Sequence, residues 1–144
     1  MVAGIGIDIV EIKRITSCIE RNGDHFLRKV FTTEERAYCD RHAFPARHYA
    51  GRWSAKEAFY KALPPVCQKI ATWKSISVVP RDGHRKPAVY VPDTAMDHTL
   101  KTCGISRIHL SLSHEHNYCT AVVLLETEKN DEPISSDKTV VTGQ

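Results

Sequence analysis

The 144-residue chain lacks most of the features that would make it anything other than a folded domain. It has no apolar run near the roughly 18 residues a membrane-spanning helix needs, and only seven Gly and seven Pro, so membrane-spanning, collagen-like and low-complexity classes drop out. Its five cysteines, Cys18, Cys39, Cys67, Cys103 and Cys119, are odd in number, widely spaced and form no C-x-x-C pair, which argues against a zinc ribbon or a disulfide scaffold. Met1 to Val10 shows neither a basic segment leading into an apolar one nor an Arg/Ser-rich presequence, so a soluble protein of a reducing, intracellular compartment is expected. What remains is 42% hydrophobic and 26% charged, enough for one compact domain with a real core.

Charge is unevenly spread. Residues 13 to 52 hold nine Lys/Arg against five Asp/Glu, whereas residues 126 to 144 hold five acids against two Lys. The part before residue 126 is therefore basic, a surface that attracts nucleic acid, an acidic protein or a polyphosphate ligand. The segment 127–144 has little apolar content and no periodicity, and is expected to be an acidic, disordered tail after a single domain over 1–126.

Val2 to Val10 alternates, with Ile5, Ile7 and Ile9 on one face and Gly4, Gly6, Asp8 and Val10 on the other, the pattern of a strand. Ile12, Ile15 and Ile19 then recur at helical spacing and Asn22-Gly23 supplies a stop, predicting a helix over 11–22 with Lys13, Arg14 and Arg21 outside. Thr32 with Glu35 is a capping box opening a helix to about Cys39. From Ala46 to Leu63 no proline intervenes, and Pro64-Pro65 ends a helix of about 27 Å. Trp73–Val79 and Ala88–Val91 flank Arg81-Asp82-Gly83-His84 as a hairpin, Asp93 caps a helix ended by Gly104, and two strands follow at Ile108–Ser113 and Tyr118–Leu125.

Two carboxylates stand out. Glu57 lies in line with Ala50 and Trp53 on an apolar stripe, with Lys61 at i+4, and by itself this reads as an intrahelical ion pair. Asp8 at the end of a first strand reads by itself as a helix cap. Together, one strand-borne and one helix-borne acid could hold a hard divalent cation against substrate phosphates, with Lys61 neutralising phosphate charge. Gly4-Ile5-Gly6 is no phosphate loop, because no G-K-[ST] follows.

Gly6-Ile7-Asp8, then 44 residues, then Trp53-Ser54-Ala55-Lys56-Glu57-Ala58-Phe59-Tyr60-Lys61 resembles the two-part signature of 4'-phosphopantetheinyl transferases, G-x-D followed by [FW]-x-x-K-E-[AS]-x-x-K. The separation is similar to the small holo-acyl-carrier-protein synthase branch, and the likeness extends over residues 4–126 through Asp8–Ile12 with Arg14-Ile15, Phe31-Thr32 with Glu35, Ala50–Arg52 and Leu110–His114. The resemblance implies an α/β (α+β) domain, a mostly antiparallel sheet with one long helix, assembled as a homotrimer. It implies transfer of the 4'-phosphopantetheine arm of coenzyme A to a serine of an acidic acyl carrier protein, with no nucleic acid or membrane as partner. By position, Asp8 and Glu57 would hold Mg2+ or Mn2+, and Lys61 would contact the attacked phosphate. Glu57 would take the serine proton, with Glu35 as second candidate. Arg47, Arg52 and His114 would bind coenzyme A phosphates, and Lys13, Arg14, Arg21 and Arg28 would dock the carrier.

Two features depart from the usual bacterial pattern. Lys61 is followed by Ala62-Leu63-Pro64-Pro65-Val66-Cys67-Gln68 in place of Ala-Phe-Gly-Thr-Gly, so contacts from that loop must differ. The wording Ala50–Ala58 is closer to the transferase domain of fungal fatty acid synthases, which points to a mitochondrial setting if the source is eukaryotic and a cytoplasmic one otherwise. A non-catalytic module binding an acidic protein or nucleic acid, and a Mg2+-dependent hydrolase of coenzyme A or nucleotides, are the competing expectations.

Overall fold

The computed structural model describes residues 1–81 and 83–128. Val2–Glu11 forms β1 as its alternation predicts. Helix α1, Ile12–Val30, buries Ile15 fully and bends at Gly23, whose φ of 51° breaks the helical run. The expected stop is thus real but local, and a second helical segment carries Arg28 beyond it. Helix α2, Thr33–Asp40, opens on the predicted capping box, with Thr32 Oγ1 accepting from the Glu35 amide at 3.2 Å and Glu35 Oε1 accepting from the Thr32 amide at 2.9 Å.

Pro45 at the first turn starts α3, Pro45–Ala62, within one residue of expectation, because a proline there gives up no helical hydrogen bond. A short α4, Pro65–Gln68, follows. Strands β2, Ser77–Pro80, and β3, Pro87–Tyr90, pair antiparallel as the predicted hairpin, though Asp82 of its turn lies outside the described residues. The first strand of that hairpin is shorter than expected. Trp73 belongs to a turn, with the Ser75 amide donating to Thr72 O, and its ring packs on Trp53. Asp93 caps α5, Thr94–Thr102, through the Ala95 and Met96 amides.

β4, Ile105–His114, and β5, Tyr118–Thr127, complete a three-stranded antiparallel sheet of order β1-β5-β4. β5 runs one residue past the expected domain end at 126, and Thr127 closes onto Met1. The acidic tail expected from 127 falls, from residue 129 onward, outside the described residues.

Helix α3 crosses one face of the sheet and packs Ala55, Ala58, Phe59 and Ala62 against Ala121, Val123 and Leu125 of β5. The approach is close because β1 carries glycine beneath it. A Cβ on Gly6 would lie 1.9 Å from Ala58 O, and one on Gly4 2.1 Å from Ala62 O. A second cluster, with Val10, Ile15, Phe31 and Tyr49, joins α1, α2 and the start of α3, and each such buried side chain contributes about 1.5–3 kcal/mol. The Ile row of β1 faces away from α3, and Ile5, Ile7 and Ile9 are each about two-thirds exposed. In one copy of the chain the sheet therefore has one covered face and one open apolar face.

Candidate active site

Asp8 projects from β1 toward α3 through the space that Gly6 leaves. Its Oδ1 accepts from Lys61 Nζ at 3.1 Å, and Lys61 also donates to Ile7 O at 3.1 Å. Ser54, one α3 turn before Glu57, stands 3.4 Å from Oδ2, and Thr120 of β5 anchors the Asp8 carbonyl at 2.8 Å. The Asp8 side chain is only 13% exposed, so these partners take the place of water around its oxygens. It is no helix cap: α1 begins after Glu11 with no side-chain cap.

Glu57 departs from the simplest reading of its sequence. Lys61, at i+4, turns to Asp8, and among the described residues Glu57 has no ion-pair partner within 4.0 Å. Burial pushes its carboxyl above the ordinary value, and the nearby Asp8 charge adds to this while Lys61 and Arg14 oppose it. Lys61 thus pairs with one of two neighbouring carboxylates, and a cation between them would relieve their repulsion. Two protein oxygen donors, without a fuller cage, suit Mg2+, which keeps waters and takes substrate phosphates. Among the described residues there is no cluster of three or more metal-ligating side chains. The donor set therefore fits a substrate-assisted metal and not a structural one.

Beside Glu57 opens a cavity of about 280 Å³ lined by Lys56, Phe59, Tyr60, Trp73 and Ile76. A larger concavity of about 940 Å³ lies at the other end of the sheet, by Met1, Leu100 and Thr127, and holds none of the site residues. On the far side of Trp53, the Arg14 guanidinium sits 6.0 Å from the ring centroid, so the basic face of α1 begins at the edge of the carboxylate pair. Lys13, Arg14, Arg21 and Arg28 are all exposed, with Arg28 in a loose 3.7 Å pair with Asp24.

Two expected residues sit elsewhere. Arg52 is 4% exposed, donates Nε to Val78 O at 3.1 Å and lies 4.3 Å over the Tyr38 ring. Its Nη1 also donates to His48 O at 3.4 Å, while Nη2 is buried without a hydrogen-bond partner among the described residues, so in one copy of the chain the guanidinium is turned away from solvent. Glu35 is fully buried, and its oxygens accept from the Thr32 amide, from Lys56 Nζ at 2.8 Å and from the Val78 amide at 3.0 Å. Three bonds on a side chain with no exposure make Glu35 an internal tie between α2, α3 and β2 in one copy of the chain.

Arg47 and His114 both lie near enough to His48 to act on it, and its pKa drops to about 4, first through burial and then through His42, Arg52, Arg47 and His114. His42 stacks on His48 with centroids 3.8 Å apart, a pairing that no sequence spacing announces. Arg47 precedes Glu57 by ten residues of α3, so this cationic group lies about 15 Å along the helix from the carboxylates. The structure brings Asp8, Glu57 and Lys61 together, and Arg47 with His114, but it does not bring the two groups together within one chain. Sequence reasoning gave Lys56 no role, although a lysine on an apolar stripe is a sign of buried pairing.

Two carboxylates and a half-exposed lysine, with Glu57 lining a largely apolar cavity, on an α/β domain, define a domain equipped to handle a phosphorylated substrate. Residues 4–123 match the model of the 4'-phosphopantetheinyl transferase superfamily, and the chain belongs to that family. It is 42% identical over 123 residues to the holo-[acyl-carrier-protein] synthase of Chlamydia trachomatis serovar L2, covering 85% of this chain and 98% of that one. The holo-[acyl-carrier-protein] synthase structure from Neisseria meningitidis superposes with a TM-score of 0.76 at 31% identity, over 88% of this chain and all of that one. A Bacillus anthracis synthase solved with coenzyme A (3',5'-ADP) gives 0.69 at 29% identity, over 89% and 99%. The mixed α/β domain with an antiparallel sheet, expected from the motifs, is the observed one. These relatives are bacterial and lend no support to the mitochondrial setting suggested by the motif wording. Among the described residues no helix is long and apolar enough to cross a membrane.

Proposed function

We propose that the chain is a holo-acyl-carrier-protein synthase, moving the 4'-phosphopantetheine arm of coenzyme A onto a serine of apo acyl carrier protein. The observation that carries this reading is the convergence of Asp8, Glu57 and Lys61 where β1 meets α3, beside the cavity walled by Phe59, Tyr60 and Trp73. The serine oxygen forms a bond to the phosphorus next to the pantetheine, the bond to the other phosphate breaks, and adenosine 3',5'-bisphosphate leaves. Asp8 and Glu57 would hold Mg2+, which when bound neutralises diphosphate charge. Lys61, half-exposed at its tip, is free to leave Asp8 for the attacked phosphate and to stabilise charge developing there. Glu57, which has no ion-pair partner within 4.0 Å among the described residues, takes the serine proton.

Arg47 and His114 complete the site from a second copy of the chain. Arg47 stands about 15 Å from Glu57 along α3, more than the short link between the diphosphate and 3'-phosphate spans, and the exposed Ile5, Ile7 and Ile9 provide an apolar face for assembly. A homotrimer with sites between subunits satisfies both observations. Lys13, Arg14, Arg21 and Arg28 meet the acidic carrier, with Arg14 nearest the carboxylates.

The test is intact-mass spectrometry of an apo carrier protein incubated with this chain, coenzyme A and Mg2+, beside a chelator control. A metal-dependent gain of one phosphopantetheine supports the reading. Consumption of coenzyme A with no carrier modified would replace it with a hydrolase, and inertness toward bacterial, mitochondrial and fatty-synthase carriers would replace it with a binding module.

A further inference from the structure

The motif lysine that the reaction leaves unused, Lys56, is the most thoroughly bonded side chain near the site. Its side chain is 2% exposed, and its ammonium makes three contacts: Glu35 Oε1 at 2.8 Å, Trp73 O at 2.7 Å and Ile76 O at 2.8 Å. Three donors meet three acceptors, so the ammonium is saturated and has no valence for a substrate phosphate. Burial depresses its pKa while the Glu35 charge holds the proton in place. Glu35 in turn ties the opening of α2 to β2 through the Val78 amide.

Two of the three contacts reach the segment that walls the cavity opposite Glu57. Trp73 and Ile76, whose carbonyls Lys56 grips, both line that cavity, and the Trp73 ring stacks at 4.4 Å on Trp53, one α3 turn before Glu57. The strand-like 73–79 pattern alone would have carried Trp73 on into β2. Tethering to Lys56 instead holds it as a turn against α3.

We infer that Lys56, clamped by Glu35, is a positioning residue that sets the distance between the Trp73–Ile76 wall and Glu57, and so the fit of the coenzyme A arm in the cavity. The inference rests on the coenzyme A reading above. It separates Lys56 from Lys61: the two lysines of one motif act on opposite sides of the same space, one holding protein and one meeting substrate.

The experiment compares wild type, Lys56→Met, and the double variant Glu35→Gln/Lys56→Met. Replacing both partners leaves no unpaired buried charge, so the double variant recovers thermal stability that Lys56→Met loses, while neither regains the tethers to Trp73 and Ile76. KM for coenzyme A should rise about tenfold in both variants, with KM for the carrier protein unchanged. The chain has two tryptophans, both in this stack, so their mutual circular-dichroism signal reports the wall directly and should weaken in both variants. A folded variant with coenzyme A KM within twofold of wild type, or with the tryptophan signal intact, overturns the inference. Failure of both variants to fold makes Lys56 a stability residue only and overturns it as well. Wild type that neither binds coenzyme A nor modifies a carrier defeats the functional reading instead, and the tryptophan signal then still decides whether Lys56 holds the wall.

Discussion

Substituting Gly6 by alanine tests the contact on which the site depends. The added Cβ would lie 1.9 Å from Ala58 O, 2.9 Å from Ala62 N and 3.0 Å from Ala58 C, whereas ordinary contact begins near 3.4 Å. All three neighbours are backbone of α3, so no side chain can rotate away and the helix must move from β1 by about 1.5 Å. Overpacking of this kind costs about 1–3 kcal/mol, which lowers Tm by several degrees in a domain of this size. The larger effect falls on chemistry. Glu57 lies on the far side of Ala58 and Lys61 one turn on, so the same shift separates both from Asp8 and stretches the 3.1 Å Lys61–Asp8 bond. A misplacement near 1 Å costs on the order of 100-fold in rate. The assay pairs thermal unfolding with carrier modification followed by intact mass, both well below Tm. A folded Gly6→Ala protein with kcat within threefold of wild type would refute the argument that the G-x-D glycine exists to let α3 reach Asp8.

Gly51, also inside α3, should behave in the opposite way: a Cβ there meets Leu112 Cδ1 at 3.8 Å, an ordinary contact, so Gly51→Ala gains about 0.5–1 kcal/mol of helix propensity and raises Tm by a few degrees in a thermal scan. Asp8→Asn and Glu57→Gln should each abolish metal-dependent transfer while leaving the far-ultraviolet circular dichroism unchanged, and retained transfer at a comparable rate in either would remove it from the metal pair. The His48 pKa falls from 6.5 to about 4 in the fold, so the unfolded chain binds the extra proton first and stability is lost as pH drops through that window. His48→Gln should therefore flatten the dependence of Tm on pH between 6.5 and 4, and an unaltered slope would show that other groups govern it. Arg14→Glu should raise KM for the acidic carrier well above KM for coenzyme A and reduce the salt dependence of the reaction, measured across a sodium chloride series.

The amino-acid sequence by itself determined most of the elements and the family to which the chain belongs. Alternation placed β1, an unbroken proline-free run placed α3 and a largely apolar run placed β5, while local chemistry, the Thr32–Glu35 box, the Asp93 cap and the prolines flanking α3, placed the ends, because these signals act over a few residues. The transferase motif singled out Asp8, Glu57 and Lys61 before any coordinates did. Tertiary structure decided everything that depends on residues far apart in the chain. Lys61 pairs with Asp8 across 53 positions in place of Glu57 four away, because the lysine stem reaches over the glycine gap in β1. Glu35 and Arg52 resemble reactive groups in sequence and are buried in space, Glu35 bonded to Lys56 and the Val78 amide and Arg52 to the Val78 carbonyl. The Ile row of β1 is the clearest case: alternation shows that one face is apolar, but only the side on which α3 lies reveals that this face is the open one in a single copy of the chain.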